Sequence, residues 1–144
     1  MADEVRAVLD SNVVVDGFLN RRRASSEVMR ALFSGIFRAY VTSDVLAEYE
    51  LALRSQSVRN AALTVGLHAN FVHLYAQAVA DSVELVAPGP SFRTSDPDDD
   101  KFTACSTGAH ATHLISSDHS LLDMGTVLEA VVMTPEAFAK VIDA

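Results

Sequence analysis

Short apolar runs with strand character alternate with segments of helical periodicity along the whole chain. The predicted strands span residues 5–9, 38–41, 83–86, 113–116 and 130–133. Because helical segments lie between successive strands, the pattern predicts an α/β fold with a mostly parallel central sheet. The chain has 144 residues, which suffice for one hydrophobic core but not for two. We therefore expect a single domain over residues 1–144.

Local sequence signals predict where some helices begin. Residues 13–15 are valines that continue the apolar stretch beyond the first strand. Residues 20–26 are polar and are interpreted as a loop, in which Ser25 or Ser26 caps the following helix. Thr42, or the serine after it, is expected to cap the helix that follows the second strand.

Acidic residues stand at the ends of predicted strands and the starts of predicted helices. They are Asp10, Glu48, the run at 98–100, and Asp118. Asp10 and Asp118 follow strands at the carboxyl edge of the predicted sheet, where α/β proteins bind ligands. Gathered carboxylates repel one another, and a divalent cation offsets that repulsion. Oxygen ligands of this type suit Mg²⁺ or Mn²⁺, so the pattern favours a metal-dependent phosphodiester hydrolase.

The net charge of −8 opposes a nucleic-acid partner at first sight, because phosphate binding usually requires a basic surface. Several of the acids belong to the predicted site, where cations would offset their charge. The one dense basic cluster is Arg21, Arg22 and Arg23. These arginines follow the first strand on the same edge as the acids, so phosphate binding and an ordinary solvated loop both remain open.

Other features of the sequence indicate the cellular compartment of the protein. Cys105 is the single cysteine, which excludes an internal disulfide and is typical of a reducing cytoplasm. No apolar run approaches the roughly 20 residues of a membrane span. The first residues, M-A-D-E-V-R, do not have the pattern of a signal peptide. We expect a cytoplasmic protein with no membrane partner.

The motifs taken together resemble a known family, the PIN-domain nucleases. The resemblance is carried by L-D-S-N-V-V-V, S-x-x-x-x-E, D-P-D-D-D-K-F-T-A-C, L-I-S-S-D-H-S-L-L and the closing T-P-E-A-F. It covers essentially the whole chain and is most similar to the bacterial branch that includes toxins of toxin–antitoxin pairs. It implies a three-layer α/β/α sandwich and a Mg²⁺- or Mn²⁺-dependent ribonuclease that cleaves single-stranded RNA.

The resemblance also implies which residues form the site. Asp10 matches the aspartate after the first strand, Glu48 the glutamate of a helix, Asp100 the third acid, and Asp118 the acid after the fourth strand. These four residues are the expected catalytic and metal-binding groups, holding one or two ions. Helical periodicity alone does not choose between Glu48 and Glu50.

Neighbouring polar residues are expected to support these carboxylates. Asn12 and Ser116 match positions that hold the acids in place, and Asp99 is interpreted as a supporting group beside Asp100. Two residues after Asp118 this branch often carries a further acid, where this chain has Ser120. The resemblance further implies a cognate antitoxin and a homodimer as partners.

Other functions are compatible with parts of this sequence pattern. One is a catalytically silent binding or regulatory module of the same fold, and another is a PIN nuclease of RNA processing outside toxin–antitoxin systems. An aspartyl-phosphate enzyme is disfavoured, because haloacid-type phosphatases require D-x-D where this chain has Asn12 as the third residue. A phospho-receiver domain requires a lysine after its last strand, and Lys140 comes too late.

Overall fold

The structure is a computed structural model and describes residues 4–143. Its strands are β1 (Arg6–Leu9), β2 (Arg38–Val41), β3 (Val83–Leu85), β4 (His113–Ile115), β5 (Thr126–Val127) and β6 (Ala130–Met133). Its helices are α1 (Ser11–Leu19), α2 (Arg23–Phe33), α3 (Ser43–Leu53), α4 (Gln56–Thr64), α5 (Ala69–Ser82), α6 (Asp100–Ala109), α7 (His119–Leu122) and α8 (Pro135–Asp143). A short 3₁₀ helix, Pro97–Asp99, directly precedes α6. Every predicted strand is present, and the two-residue β5 was not predicted.

The six strands form one sheet in the order β3-β2-β1-β4-β6-β5. Neighbouring strands are parallel except β5, which runs antiparallel to β6. The chain moves outward from β1 to β3 and then crosses back to β4. Since such crossovers are right-handed, the helices between β1 and β3 cover one face of the sheet and α6 covers the other. The predicted α/β/α sandwich with a mostly parallel sheet is confirmed.

The central strands β1 and β4 lie in the middle of the core. Val8, Leu9, Leu114 and Ile115 are all buried, because helices cover both faces of the sheet at this point. Strands buried on both faces are continuously apolar rather than alternating, which is why these runs stand out in the sequence. Among residues 4–143, no helix is long and apolar enough to cross a bilayer.

The valines at 13–15 do not continue the first strand but belong to α1. β-branched residues favour strands through local propensity, yet packing overrides this preference here. Val13 and Val14 are fully buried, and α1 packs against α2 and α3. A Cβ added at Gly17 would lie 2.4 Å from Met29 Cγ, so this glycine allows α1 and α2 to approach closely. The turn into α1 leaves Asp10 at its N-cap position.

The start of α2 also differs from the prediction. The helix begins at Arg23, so neither Ser25 nor Ser26 is its cap; both serines are buried inside the helix. Ser26 Oγ instead donates to Asn20 Oδ1 at 2.7 Å, which ties the turn to the helix. The cap of α3 was predicted correctly, since Thr42 Oγ1 accepts from the Val45 N–H at 3.2 Å.

The irregular segment 86–96 runs along α6 and fixes that helix on the sheet. Thr107 Oγ1 donates to the Pro90 carbonyl at 2.7 Å, and the Phe92 N–H donates to Thr103 Oγ1 at 2.8 Å. At Gly108 an added Cβ would lie 2.1 Å from the Ala87 carbonyl oxygen, so only glycine allows this approach. The start of α6 is therefore held in place by packing along its length.

Candidate metal centre

The candidate site lies at the carboxyl edge of β1 and β4. Asp10 directly follows β1, and Asp118 lies in the turn between β4 and α7. The Asp10 N–H donates to the Ile115 carbonyl at 2.9 Å, which extends the pairing of the two strands to this edge. The structure thus brings together Asp10 and Asp118, which the sequence predicted to meet at this edge because both follow strands.

Asp99 completes a cluster of three carboxylates with Asp10 and Asp118, each contributing one oxygen within 4.8 Å of the other two. Oxygens that bind one Mg²⁺ at about 2.1 Å lie at most about 4.2 Å apart, so small side-chain adjustments close the cluster around an ion. A donor set made only of carboxylate oxygens fits a hard divalent cation such as Mg²⁺ or Mn²⁺. Asp10 and Asp99 are buried, whereas Asp118 is partly exposed, so the cluster opens towards solvent at Asp118.

Ser116 joins two members of the cluster. Its Oγ donates to Asp10 Oδ2 at 2.7 Å and accepts from the Asp118 N–H at 2.9 Å. Burial raises the pKa of Asp10 to about 7, and repulsion from Asp118 and other nearby carboxylates adds to the rise, while the Ser116 hydrogen bond opposes it. The pKa of Asp10 therefore lies near neutral pH, well above that of an ordinary aspartate.

The structure distinguishes the two neighbouring acids Asp99 and Asp100. Asp99 lies in the cluster, and its Oδ2 accepts a hydrogen bond from Ser120 Oγ. Burial raises the pKa of Asp99 as well, while the hydrogen bond from Ser120 opposes the rise. Asp100 was expected to be the third acid, but it lies outside this cluster: its Oδ1 accepts from both the N–H and the Oγ1 of Thr94 at 2.8 Å. Asp99 thus has the position expected of Asp100.

The helix start explains this exchange of positions. Asp96 caps the 3₁₀ helix by accepting from the Asp98 N–H at 3.1 Å. The chain then turns by about 100° for each helical residue, so consecutive aspartates point in different directions. Asp99 faces the sheet edge and Asp100 faces the preceding loop. Ser120, which stands where an acid was expected, supports Asp99 from α7.

Glu48 borders the cluster from α3 without joining it. One of its carboxylate oxygens accepts a hydrogen bond from Ser11 Oγ, and the other pairs with Lys101 Nζ at 2.7 Å. The hydrogen bond with Glu48 raises the pKa of Lys101, so this side chain remains an ammonium. Glu50, the alternative that periodicity left open, is exposed. Sequence reasoning missed Ser11 and Lys101 as site residues, although both directly follow acids in the motifs.

Asn12 contacts the site from the first turn of α1, where its Nδ2 donates to Asp118 Oδ2 at 3.4 Å. The three arginines lie at the turn between α1 and α2. Arg22 pairs with Asp16 at 3.5 Å and with Glu136 at 3.8 Å, and Glu136 belongs to the helix that follows β6. This contact places Arg22 towards the carboxyl edge of the sheet, although its charge is shared with two acids.

A parallel α/β sheet with three carboxylates converging at its carboxyl edge defines a candidate divalent-metal domain. Residues 6–120 match the sequence model of a family described as the PIN domain. The match covers most of the chain, so this protein belongs to the PIN-domain family, as its motifs predicted.

One solved structure with a similar fold is the crystal structure of VapBC2 from Rickettsia felis bound to a DNA fragment from their promoter. The similarity covers 90% of this chain and 98% of that chain, with 10% sequence identity and a TM-score of 0.57. At this identity the likeness shows the fold alone. No curated protein matches the sequence.

Proposed function

We propose that this protein is a Mg²⁺- or Mn²⁺-dependent endoribonuclease that cleaves single-stranded RNA, and that it acts as the toxin of a toxin–antitoxin pair. The observation that carries the proposal is the convergence of Asp10, Asp99 and Asp118 within 4.8 Å. PIN domains are generally nucleases, which supports phosphodiester hydrolysis at this cluster.

Different side chains of the site would bind the ion, support its ligands and orient the attacking water. Asp10, Asp99 and Asp118 would hold the ion, and Ser116 keeps Asp10 and the start of the Asp118 turn in register. An ion held by these three carboxylates would supply positive charge to offset the scissile phosphate and would make a water molecule easier to deprotonate. Glu48, held by Ser11 and Lys101, would orient the attacking water or accept its proton. No serine or cysteine nucleophile is required.

The RNA backbone requires positive charge beyond the ion itself. We propose that Arg21, Arg22 and Arg23 contact phosphates of the substrate, since the contact of Arg22 with Glu136 lies towards the carboxyl edge of the sheet, the edge that carries the acids. Arg23 is largely exposed, with 91% of its side chain accessible, and Arg22 is half-exposed. Phosphate contacts at this turn would make binding sensitive to salt.

The proposed partners are a cognate antitoxin and a second copy of the chain. The support is the similar fold of the VapBC2 structure. We place the protein in the cytoplasm, where an RNA target and an antitoxin would both be present. If it instead serves RNA processing, the nuclease site is unchanged and only the partner differs.

The test is cleavage of single-stranded RNA by purified protein with Mn²⁺ or Mg²⁺, with EDTA as the control for metal dependence. Asp99→Asn and Asp100→Asn form a matched pair, because the two acids are adjacent but only Asp99 lies in the cluster. We expect Asp10→Asn, Asp118→Asn and Asp99→Asn to lower the rate by at least about a hundredfold, in line with the loss of groups that hold a catalytic ion. Asp100→Asn should stay within a few-fold of wild type.

The outcomes separate the hypotheses. Cleavage that survives EDTA, or that is unaffected by Asp10→Asn and Asp118→Asn, contradicts the proposal. Absence of cleavage by folded protein on a broad RNA panel favours the silent binding module. Equal loss in Asp99→Asn and Asp100→Asn would restore Asp100 to the site.

A further inference from the structure

Lys101 provides the only ion pair to the carboxylates of the site among residues 4–143. Its Nζ lies 2.7 Å from Glu48 Oε1, and the two side chains are 31% and 27% exposed. Lys101 lies in the first turn of α6, two residues after Asp99, while Glu48 lies in the middle of α3. The contact therefore links the two helices that flank the cluster.

Both oxygens of Glu48 are occupied by this arrangement. Oε1 pairs with Lys101, and Oε2 accepts from Ser11. A divalent ion at Glu48 would have to displace the ammonium group from a close contact. The ammonium is itself a cation, and it already compensates the charge of Glu48.

The formal charges of the site also disfavour a second divalent ion. Asp10, Asp99 and Asp118 carry a formal charge of −3 when ionised, and one divalent ion reduces this to about −1. Lys101 already neutralises Glu48, so in the absence of RNA a second divalent ion would leave the site with net positive charge.

We propose that Lys101 takes the place of a second divalent cation, so that the site binds a single metal ion at Asp10, Asp99 and Asp118. The proposal rests on the proposed function, because it assumes that this cluster is the metal site. Lys101 then acts as a positioning residue, which holds Glu48 beside the ion but prevents Glu48 from becoming a metal ligand.

The test is the number of Mn²⁺ ions bound per chain, measured by titration calorimetry and by the electron paramagnetic resonance signal of free Mn²⁺. We expect about one ion for the wild type and about two for Lys101→Met, because removal of the ammonium frees Glu48 as an oxygen ligand. Lys140→Met is the matched control, since Lys140 is the other lysine of the chain and lies in α8. Lys101→Arg keeps the charge and should bind about one ion, like the wild type.

A double variant, Lys101→Met with Glu48→Gln, identifies the new ligand. It should bind about one ion again, because the freed carboxylate is no longer present. In cleavage assays the rate should saturate with a single Mn²⁺ dependence in the wild type and with two in Lys101→Met.

The results distinguish this proposal from the proposed function. Two ions bound to the wild type, or one ion bound to Lys101→Met, overturns the role of Lys101 while leaving the nuclease intact. Binding of no ion, or binding unaffected by Asp10→Asn, overturns the metal site and with it both proposals. Where Lys101→Met does not fold, the wild-type stoichiometry still tests the proposal, because two ions bound to the wild type overturn it.

Discussion

Ionisation of the buried carboxylate of Asp10 is expected to lower the free energy of unfolding of the metal-free protein at neutral and alkaline pH. Burial is the main reason that the pKa of Asp10 rises from an ordinary 3.8 to about 7. A rise of about three units corresponds to about 4 kcal/mol at 1.36 kcal/mol per unit. Asp10→Asn should recover most of this free energy of unfolding, because the amide keeps a hydrogen-bond acceptor for Ser116 and never ionises.

The sign of the effect follows from where the proton resides. Below about pH 4, Asp10 is protonated in both the folded and the unfolded protein and carries no penalty. Between about pH 4 and pH 7 the unfolded chain releases the proton while the folded protein retains it, so the free energy of unfolding falls as the pH rises. Above about pH 7 the penalty is complete.

The measurement is urea unfolding in EDTA at about pH 4.5 and about pH 8, compared between wild type and Asp10→Asn. We expect the advantage of the variant to grow by about 3 kcal/mol between the two conditions. Asp143→Asn serves as the control, because Asp143 is exposed at the end of α8. An advantage that does not grow with pH, or that grows equally for Asp143→Asn, refutes the reasoning.

Three further predictions concern packing, reactivity and support of the site. Gly108→Ala should lower the free energy of unfolding by about 3 kcal/mol through its clash with the Ala87 carbonyl. The control Gly35→Ala, at a positive φ with open space around it, should lower it by about 1 kcal/mol. Equal losses of the two variants in urea unfolding would contradict this expectation. Burial raises the pKa of the Cys105 thiol to about 12, so a thiol-specific dye should react only after urea unfolding, and fast reaction of folded protein at about pH 8 would contradict burial. Ser120→Ala should weaken Mn²⁺ binding about tenfold to a hundredfold, as for other groups that orient metal ligands; calorimetry that finds unchanged affinity would show that Asp99 is held without Ser120.

The fold and part of the site could be predicted because they depend on patterns that are local in sequence. Strands buried on both faces form continuous apolar runs, and their alternation with helices indicates a parallel sheet. Asp10 and Asp118 follow such strands, so their meeting at one edge follows from topology. The placement of α1 could not be predicted in this way, because its valines favour a strand locally and become helical through packing.

The remaining site residues required three-dimensional information. Asp99 and Asp100 are chemically identical neighbours, and only the rotation of the chain at the start of α6 decides which one faces Asp10. The contact between Glu48 and Lys101 joins residues that are 53 positions apart. Such a pairing has no periodicity and no motif of its own, so it appears only once α3 and α6 are placed on the sheet.

The four carboxylates of the site are each supported by a neutral hydrogen-bond donor. Ser116 donates to Asp10, Ser11 to Glu48, Ser120 to Asp99, and Asn12 to Asp118. A hydroxyl or amide orients a carboxylate without cancelling its charge, whereas an arginine or lysine would neutralise it. The site therefore keeps its negative charge available for a cation, and the destabilisation predicted for Asp10 is the consequence. Among residues 4–143, Glu48 is the one of these four carboxylates that also has a charged partner, which is the physical reason to separate its role from that of the three aspartates.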